Sequence, residues 1–72
     1  MADDSVYRIT EVIGTSSESW AAAAKNAVET AANTVRDLRV GEVVRQDVVI
    51  ENGTVSQYRV RLAIGFKYDT GD

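Results

Sequence analysis

Residues 54–68 constrain this chain more than any other stretch, because they alternate without a break. Tyr58, Val60, Leu62, Ile64, Phe66 and Tyr68 fall on one side, and Val55, Gln57, Arg59, Arg61, Ala63, Gly65 and Lys67 on the other. That period of two specifies a β-strand with one apolar face. Just before it stands Glu51-Asn52-Gly53. Asn and Gly both tolerate the positive φ of a tight turn, so the β-rich run Arg39 to Ile50 and the alternating run are predicted to form a hairpin.

Upstream, Ser5 to Ile13 carries Val6, Tyr7, Ile9, Thr10, Val12 and Ile13 and ends at Gly14, which predicts a first strand. Thr15-Ser16-Ser17-Glu18 has the spacing of a capping box and predicts a helix from about Ser16 or Ser17. From there to about Asp37, Trp20, Ala24, Ala27, Ala31, Val35 and Leu38 recur at intervals of three and four, with Val28 and Ala32 widening the stripe. Lys25, Asn26, Glu29, Asn33 and Arg36 take the opposite side. The many alanines favour helix yet bury little area, which suits close packing. Trp20 reads as an anchor between the helix start and the sheet rather than as a ring for stacking a ligand.

The order is then β-α-β-β, an α+β fold. A right-handed crossover sets strand one beside strand three, giving one helix on a three-stranded antiparallel sheet of order 1-3-2, with the apolar side of strand three toward the helix. The other sheet face, carrying Arg59, Arg61 and Lys67, is left open. In strand two Val40, Val44, Val48 and Ile50 fall on one side and Val43 and Val49 on the other, so apolar residues on both faces predict contacts between subunits. Strands of about 12 to 15 residues, against the usual ~5–6, point the same way.

A domain of 72 residues buries only ~60–65% of its unfolded surface and needs an added source of stability. The chain has no Cys and no His, so neither disulfides nor a Cys/His zinc site supplies it, and oligomerisation remains. One domain is expected over residues 5–69, with flexible termini at 1–4 and 70–72. No apolar run approaches the ~20 residues of a membrane span, and the acidic Met1-Ala2-Asp3-Asp4 is unlike a signal peptide. A soluble protein is expected, with a cytoplasmic location suited to the lack of Cys. A net charge of −3 with the signs interspersed offers no basic stripe for nucleic acid.

Chemistry is sparse. Without Cys or His, and with Thr15 to Ser19 read as a helix cap, no catalytic residue is expected, and the glycines form no GxGxxG or Walker pattern. The carboxylates Asp37, Glu42 and Asp47 flank or lie within strand two, where several copies can converge at a symmetry axis. In one chain they read as solvated or salt-bridged groups. Where copies meet they are candidate metal ligands, since calcium takes six or more oxygens and one short chain seldom supplies them. Arg59 and Arg61 read first as ion-pair partners between subunits and second as contacts to an anionic ligand.

Strand one, Ile13-Gly14-Thr15-Ser16 opening an Ala-rich helix, Gly41-Glu42-Val43-Val44, Tyr58-Arg59-Val60 and Ile64-Gly65-Phe66 follow one another over roughly residues 5 to 69. This succession resembles the dodecins. The resemblance implies a hollow homododecamer of 23 symmetry that binds flavins or related small molecules. Flavin-binding dodecins carry a Trp before the Glu-Val pair, and two copies of it sandwich the flavin ring; here that position is Val40. Many also carry a Gln after the aromatic of strand three, where this chain has Arg59, and some a phosphate-contacting Arg in strand two, where it has Asp47. Val40, Gln46 and Arg59 are thus the residues expected at the equivalent of the flavin pocket. Ser19-Trp20, Arg39-Val40 and Gln46-Asp47 are similar to the calcium dodecin subgroup. The resemblance therefore implies a ligand- or ion-sequestering storage protein with calcium as the leading ion. A flavin-storing dodecin is the alternative, and a structural oligomer with a vestigial pocket the second.

Overall fold

A computed structural model describes residues 6–67 of the chain. Its elements are β1 (Tyr7–Ser16), α1 (Trp20–Ala31), β2 (Leu38–Glu51) and β3 (Thr54–Lys67). The sheet is antiparallel in the order β1-β3-β2, as expected, with β3 central. Tyr68, the ends of the expected domain and the termini expected to be flexible lie outside the described residues. Among the described residues no helix is long and apolar enough to cross a membrane.

The hairpin forms where the Asn-Gly pair predicts it. Asn52 and Gly53 take φ of 52° and 74°, and Glu51 pairs with Thr54 across the turn. The other boundary signals were weaker than the tertiary structure. β1 continues through Gly14 to Ser16, because the long β3 keeps pairing it from Tyr7↔Lys67 to Ser16↔Tyr58. The capping box is therefore not used. Ser16 Oγ instead accepts from the Glu18 N–H at 2.9 Å, and the helix is capped by Ser19, whose hydroxyl accepts from the Ala22 N–H at 3.0 Å. The helix also stops at Ala31, short of the expected Asp37. Thr34 and Val35 both turn their N–H groups onto the Ala31 carbonyl, in a stretch of Asn33, Thr34 and Val35 that are weak helix formers. Asp37, at φ 60°, then redirects the chain into β2.

β2 does not keep one parity. Its pairing with β3 shifts between Leu38 and Val40, between Val43 and Arg45, and between Val49 and Ile50. The irregularity at Val44 inserts one residue and exchanges the faces on either side of it. Val40, opposite Gly65, and Val48, opposite Tyr58, were expected on one face and lie on opposite ones.

Ala23, Ala27, Val60, Leu62 and Ile64 form the buried core, with Val12, Ala24, Ala31 and Leu38 packed around it. The helix rests chiefly on β1 and β3 and leaves most of β2 uncovered. It comes so close at Gly14 that a Cβ there would collide with the Ala23 carbonyl oxygen and stand 2.8 Å from the Cβ of Ala27. So thin a core leaves large apolar side chains outside it. In the single chain Ile9, Val40 and Ile50 are 62%, 60% and 65% exposed, and Val43 and Val44 also lie open. Gly14→Ala is expected to lift the helix from the sheet and destabilise the fold by about 1–3 kcal/mol, the usual range for overpacking. Denaturant unfolding beside the unchanged protein measures it, and an unchanged midpoint would show that the helix is not held at this distance.

Candidate functional site

Chemistry-bearing side chains gather on the sheet face away from the helix. In an antiparallel ladder directly opposed residues share a face. Asp47 opposes Arg59 on one side of β3, and Thr15 opposes it on the other. On the next rung Arg61 lies between Arg45 and Ile13, and beyond it Ala63 lies between Glu42 and Glu11. The first rung is closed by a two-pronged ion pair. Arg59 Nε donates to Asp47 Oδ1 at 2.7 Å and Arg59 Nη2 to Asp47 Oδ2 at 2.8 Å. Arg61 Nη1 donates diagonally to Glu11 Oε1 at 3.2 Å. Both arginines were expected to pair between subunits. Within the chain each already has a partner, because the order β1-β3-β2 brings an acid from each outer strand to the central one.

The same rung carries a link to the helix. The Trp20 indole N–H donates to the Asp47 carbonyl at 3.0 Å, and its ring meets Tyr58 edge-on with centroids 5.1 Å apart. Trp20 is thus the anchor expected, fixing the helix start to β2 and β3. Sequence patterns gave no sign of its partner, which lies 27 residues away.

The expected flavin-pocket residues do not converge within one chain. Val40 lies open on the face away from the helix, opposite Gly65, where the side chains of Ile9 and Tyr7 also close in. Arg59 is on the same face, but Gly65 and Arg59 are six strand positions apart, about 20 Å at ~3.3 Å per residue. Gln46 opposes Val60 and so lies on the helix side. The expected metal ligands are equally dispersed. Asp37 sits in the turn before β2, with its carboxylate 3.9 Å from Arg39 and its carbonyl accepting from the Lys67 N–H. Glu42 is exposed opposite Ala63, about 13 Å along the sheet from Asp47, and makes no ion pair or hydrogen bond among the described residues. Among those residues no three acidic, His or Cys side chains stand close enough to hold a metal ion. The described residues of one chain therefore offer no oxygen shell for calcium. At the flavin-equivalent positions Val40 offers no ring, and Arg59 is engaged by Asp47.

The Arg59 fork holds the Asp47 carboxyl below its ordinary pKa, and the nearby Arg45 and Arg61 charges add to this against the cost of desolvation. Asp47 in turn raises Arg59. A carboxyl depressed on folding contributes stability above its unfolded pKa, and this is lost as pH falls through the folded value. The loss therefore falls below the usual carboxylate range. Titration of the Asp47 carboxyl by NMR is expected to show a midpoint below that range in the unchanged protein and close to it in Arg59→Gln. Equal midpoints would show that the fork does not form in solution.

Residues 6–69 match the Dodecin family. The calcium dodecin of Mycobacterium tuberculosis is 41% identical over 63 residues, which span 88% of this chain and 89% of that protein. A crystal structure of the calcium-chelating calcium dodecin of that organism, solved with a novel calcium-binding site, matches with a TM-score of 0.79 at 39% identity over 94% of this chain and 97% of that one. The dodecin of Streptomyces coelicolor matches with a TM-score of 0.89 at 37% identity, over 97% and 100% of the two chains.

Proposed function

This chain belongs to the dodecin family, and on that premise we propose that it is a binding and sequestering protein, not an enzyme, acting as a hollow homododecamer with calcium as its leading ion. The observation that carries the reading is the chemistry at the positions tied to flavin. Val40 supplies no ring to stack, and Asp47 and Arg59, which stand where a phosphate-contacting Arg and a flavin-bonding Gln are found in other dodecins, neutralise each other at 2.7 Å. The same face carries Glu42, which is exposed and makes no ion pair or hydrogen bond among the described residues, and so is placed to reach a second copy. The likeness to a calcium dodecin supports the choice of ion.

Assembly follows from the thin core. Ile9, Val40, Val43, Val44 and Ile50 lie exposed in the single chain, and further copies would cover this apolar surface. Calcium wants six to eight oxygens, so its site joins carboxylates from several copies. Sedimentation at low micromolar concentration is expected to show the dodecamer, and metal analysis after equilibration with calcium a stoichiometric load. Glu42→Gln should keep the assembly and weaken calcium binding about tenfold or more, as loss of a charged ligand does. A folded monomer removes the cage, and a colourless dodecamer that takes up no calcium removes the ion while leaving the cage.

The flavin reading is favoured by the apolar patch of Tyr7, Ile9 and Val40 around Gly65. If two-fold-related copies bring their Val40 residues together there, Val40→Trp supplies two indoles. Flavin quenching should then rise, because ring stacking contributes about 0.5–1.5 kcal/mol per pair beyond burial. Adding Arg59→Gln should strengthen the effect by supplying both a donor and an acceptor for the ring edge. Arg59→Gln alone should do little. Riboflavin fluorescence is the readout, and a dodecameric double variant that quenches no more than the unchanged protein shows that these positions do not meet in one pocket.

A further inference from the structure

We infer that Asn52 and Gly53, at the tip of the β2–β3 hairpin, form a self-modifying site at which Asn52 loses its side-chain amide and becomes aspartate or isoaspartate. The hairpin outruns the rest of the fold. β1 pairs with β3 only as far as Ser16↔Tyr58, whereas β2 follows β3 on to Glu51↔Thr54, so residues 49–57 form a two-stranded arm. Its rungs are Val49↔Gln57, Ile50↔Val55 and Glu51↔Thr54, and the register shift between the first two leaves Ser56 without one. Two strands alone are marginal in water, so such an arm opens at its tip at little cost. Glu51, Asn52, Gly53 and Thr54 are all exposed.

The tip brings together the groups that the reaction needs. The Gly53 backbone nitrogen is the nucleophile, and Cγ of the Asn52 amide is its target. Neither the Gly53 N–H nor the Asn52 amide makes a hydrogen bond among the described residues. Gly53 has no side chain to shield its nitrogen, and a Cβ there would meet nothing within 4 Å. When the nitrogen loses its proton and bonds to Cγ, Nδ2 takes up a proton and leaves as ammonia, and a succinimide ring remains. Water then adds to either ring carbonyl and breaks its C–N bond. Opening at Cγ gives aspartate, and opening at the Asn52 backbone carbonyl gives isoaspartate, whose main chain runs through Cγ. Both products add a negative charge beside Glu51. Isoaspartate also lengthens the backbone of a tight turn whose φ angles of 52° and 74° suit residues of ordinary length. The arm therefore loosens from its tip as the protein ages, and Ile50↔Val55 is the first apolar rung released. The other two asparagines lack this combination. Asn26 lies in α1 and donates to the Thr15 carbonyl at 3.1 Å. Asn33 is exposed, but the nitrogen it would need, that of Thr34, donates to the Ala31 carbonyl at 3.1 Å and stands beside a branched side chain.

The test holds the folded, assembled protein at mildly alkaline pH and body temperature for several days, beside a sample kept unfolded in urea. Cleavage after Arg45 and Arg59 isolates Asn52, and cleavage after Lys25 and Arg36 isolates Asn26 with Asn33. Mass spectrometry reads the exchange of amide for acid, and isoaspartyl methyltransferase reads the isoaspartate. In the folded protein Asn52 is expected to convert about tenfold or more faster than Asn33 and within about tenfold of its own rate in urea. Conversion should also quicken as pH rises, because the Gly53 nitrogen attacks without its proton. Asn52→Gly keeps a turn that accepts positive φ and should abolish the product. Amide hydrogen exchange over residues 49–57 should be faster in the aged unchanged protein than in the equally aged variant. The inference is overturned if Asn52 in the folded protein converts no faster than Asn33, as it would where a second copy covered the tip. It is equally overturned if the acid persists in Asn52→Gly, since Gln46 or Gln57 of the same peptide is then the source. Equal exchange in the two aged proteins overturns the loosening. The site shares no residue with the Asp47–Arg59 rung, so the result stands whether or not calcium binds.

Discussion

The helix reaches the sheet only because residue 14 has no side chain. Gly14 lies within β1 directly beneath Ala23 and Ala27, and the space that a Cβ would need is already filled by the helix backbone. Small residues on both sides of this contact bring the two layers together closely, at the cost of burying little apolar area. What remains for the core is Val60, Leu62 and Ile64 of the central strand against two alanines. The position of the helix follows as well. Held over Gly14, it covers β1 and β3 and cannot also lie across β2, except where Trp20 reaches to the Asp47 carbonyl. The apolar residues of β2 are thereby left uncovered in the single chain.

β2 also pairs with β3 in an irregular register. A strand that kept perfect alternation would place Val40 with Gln46 and Val48, and Arg45 with Val43 and Glu51. The shift at Val44 instead brings Val40, Glu42, Arg45 and Asp47 onto one face, opposite the central-strand residues Gly65, Ala63, Arg61 and Arg59. One inserted residue thus sets an apolar end, an acid without a partner among the described residues and a charged cluster in a row on the open face. Bulges of this kind redirect side chains at the expense of one rung of the ladder.

Much of this fold was legible in the sequence, and the parts that were not have definite physical reasons. The alternation of residues 54–67, the Asn52-Gly53 turn and the β-α-β-β order all agree with one another, and where local signals agree the architecture follows. The helix start was misplaced because Thr15 to Glu18 carries a sound local cap signal that a long β3 overrides by pairing through Ser16. The site was read less well. The resemblance put Gln46 with the pocket residues, whereas the bulge in β2, which has no sequence mark of its own, turns it to the helix side. Glu11 and Arg61 are 50 residues apart, and no pattern of spacing connects them. Asp47 and Arg59 were each singled out, yet their direct opposition depends on the hairpin register.

The Asp47–Arg59 pair has more to do with selection than with stability. Both side chains are about 40% exposed, and pairs so open to water contribute little to stability even when their geometry is good. The fold does not depend on it. A bidentate fork nevertheless satisfies the guanidinium in the one direction in which it grips an oxyanion best, so an anionic ligand at this rung must first displace a tethered carboxylate. A neutral ligand meets a pair with no net charge. A cation meets Asp47 with its oxygens already donated to. The pair thus gives a ligand of either sign little net charge to hold at the Arg59 rung, and this follows from the register that sets Asp47 directly opposite Arg59.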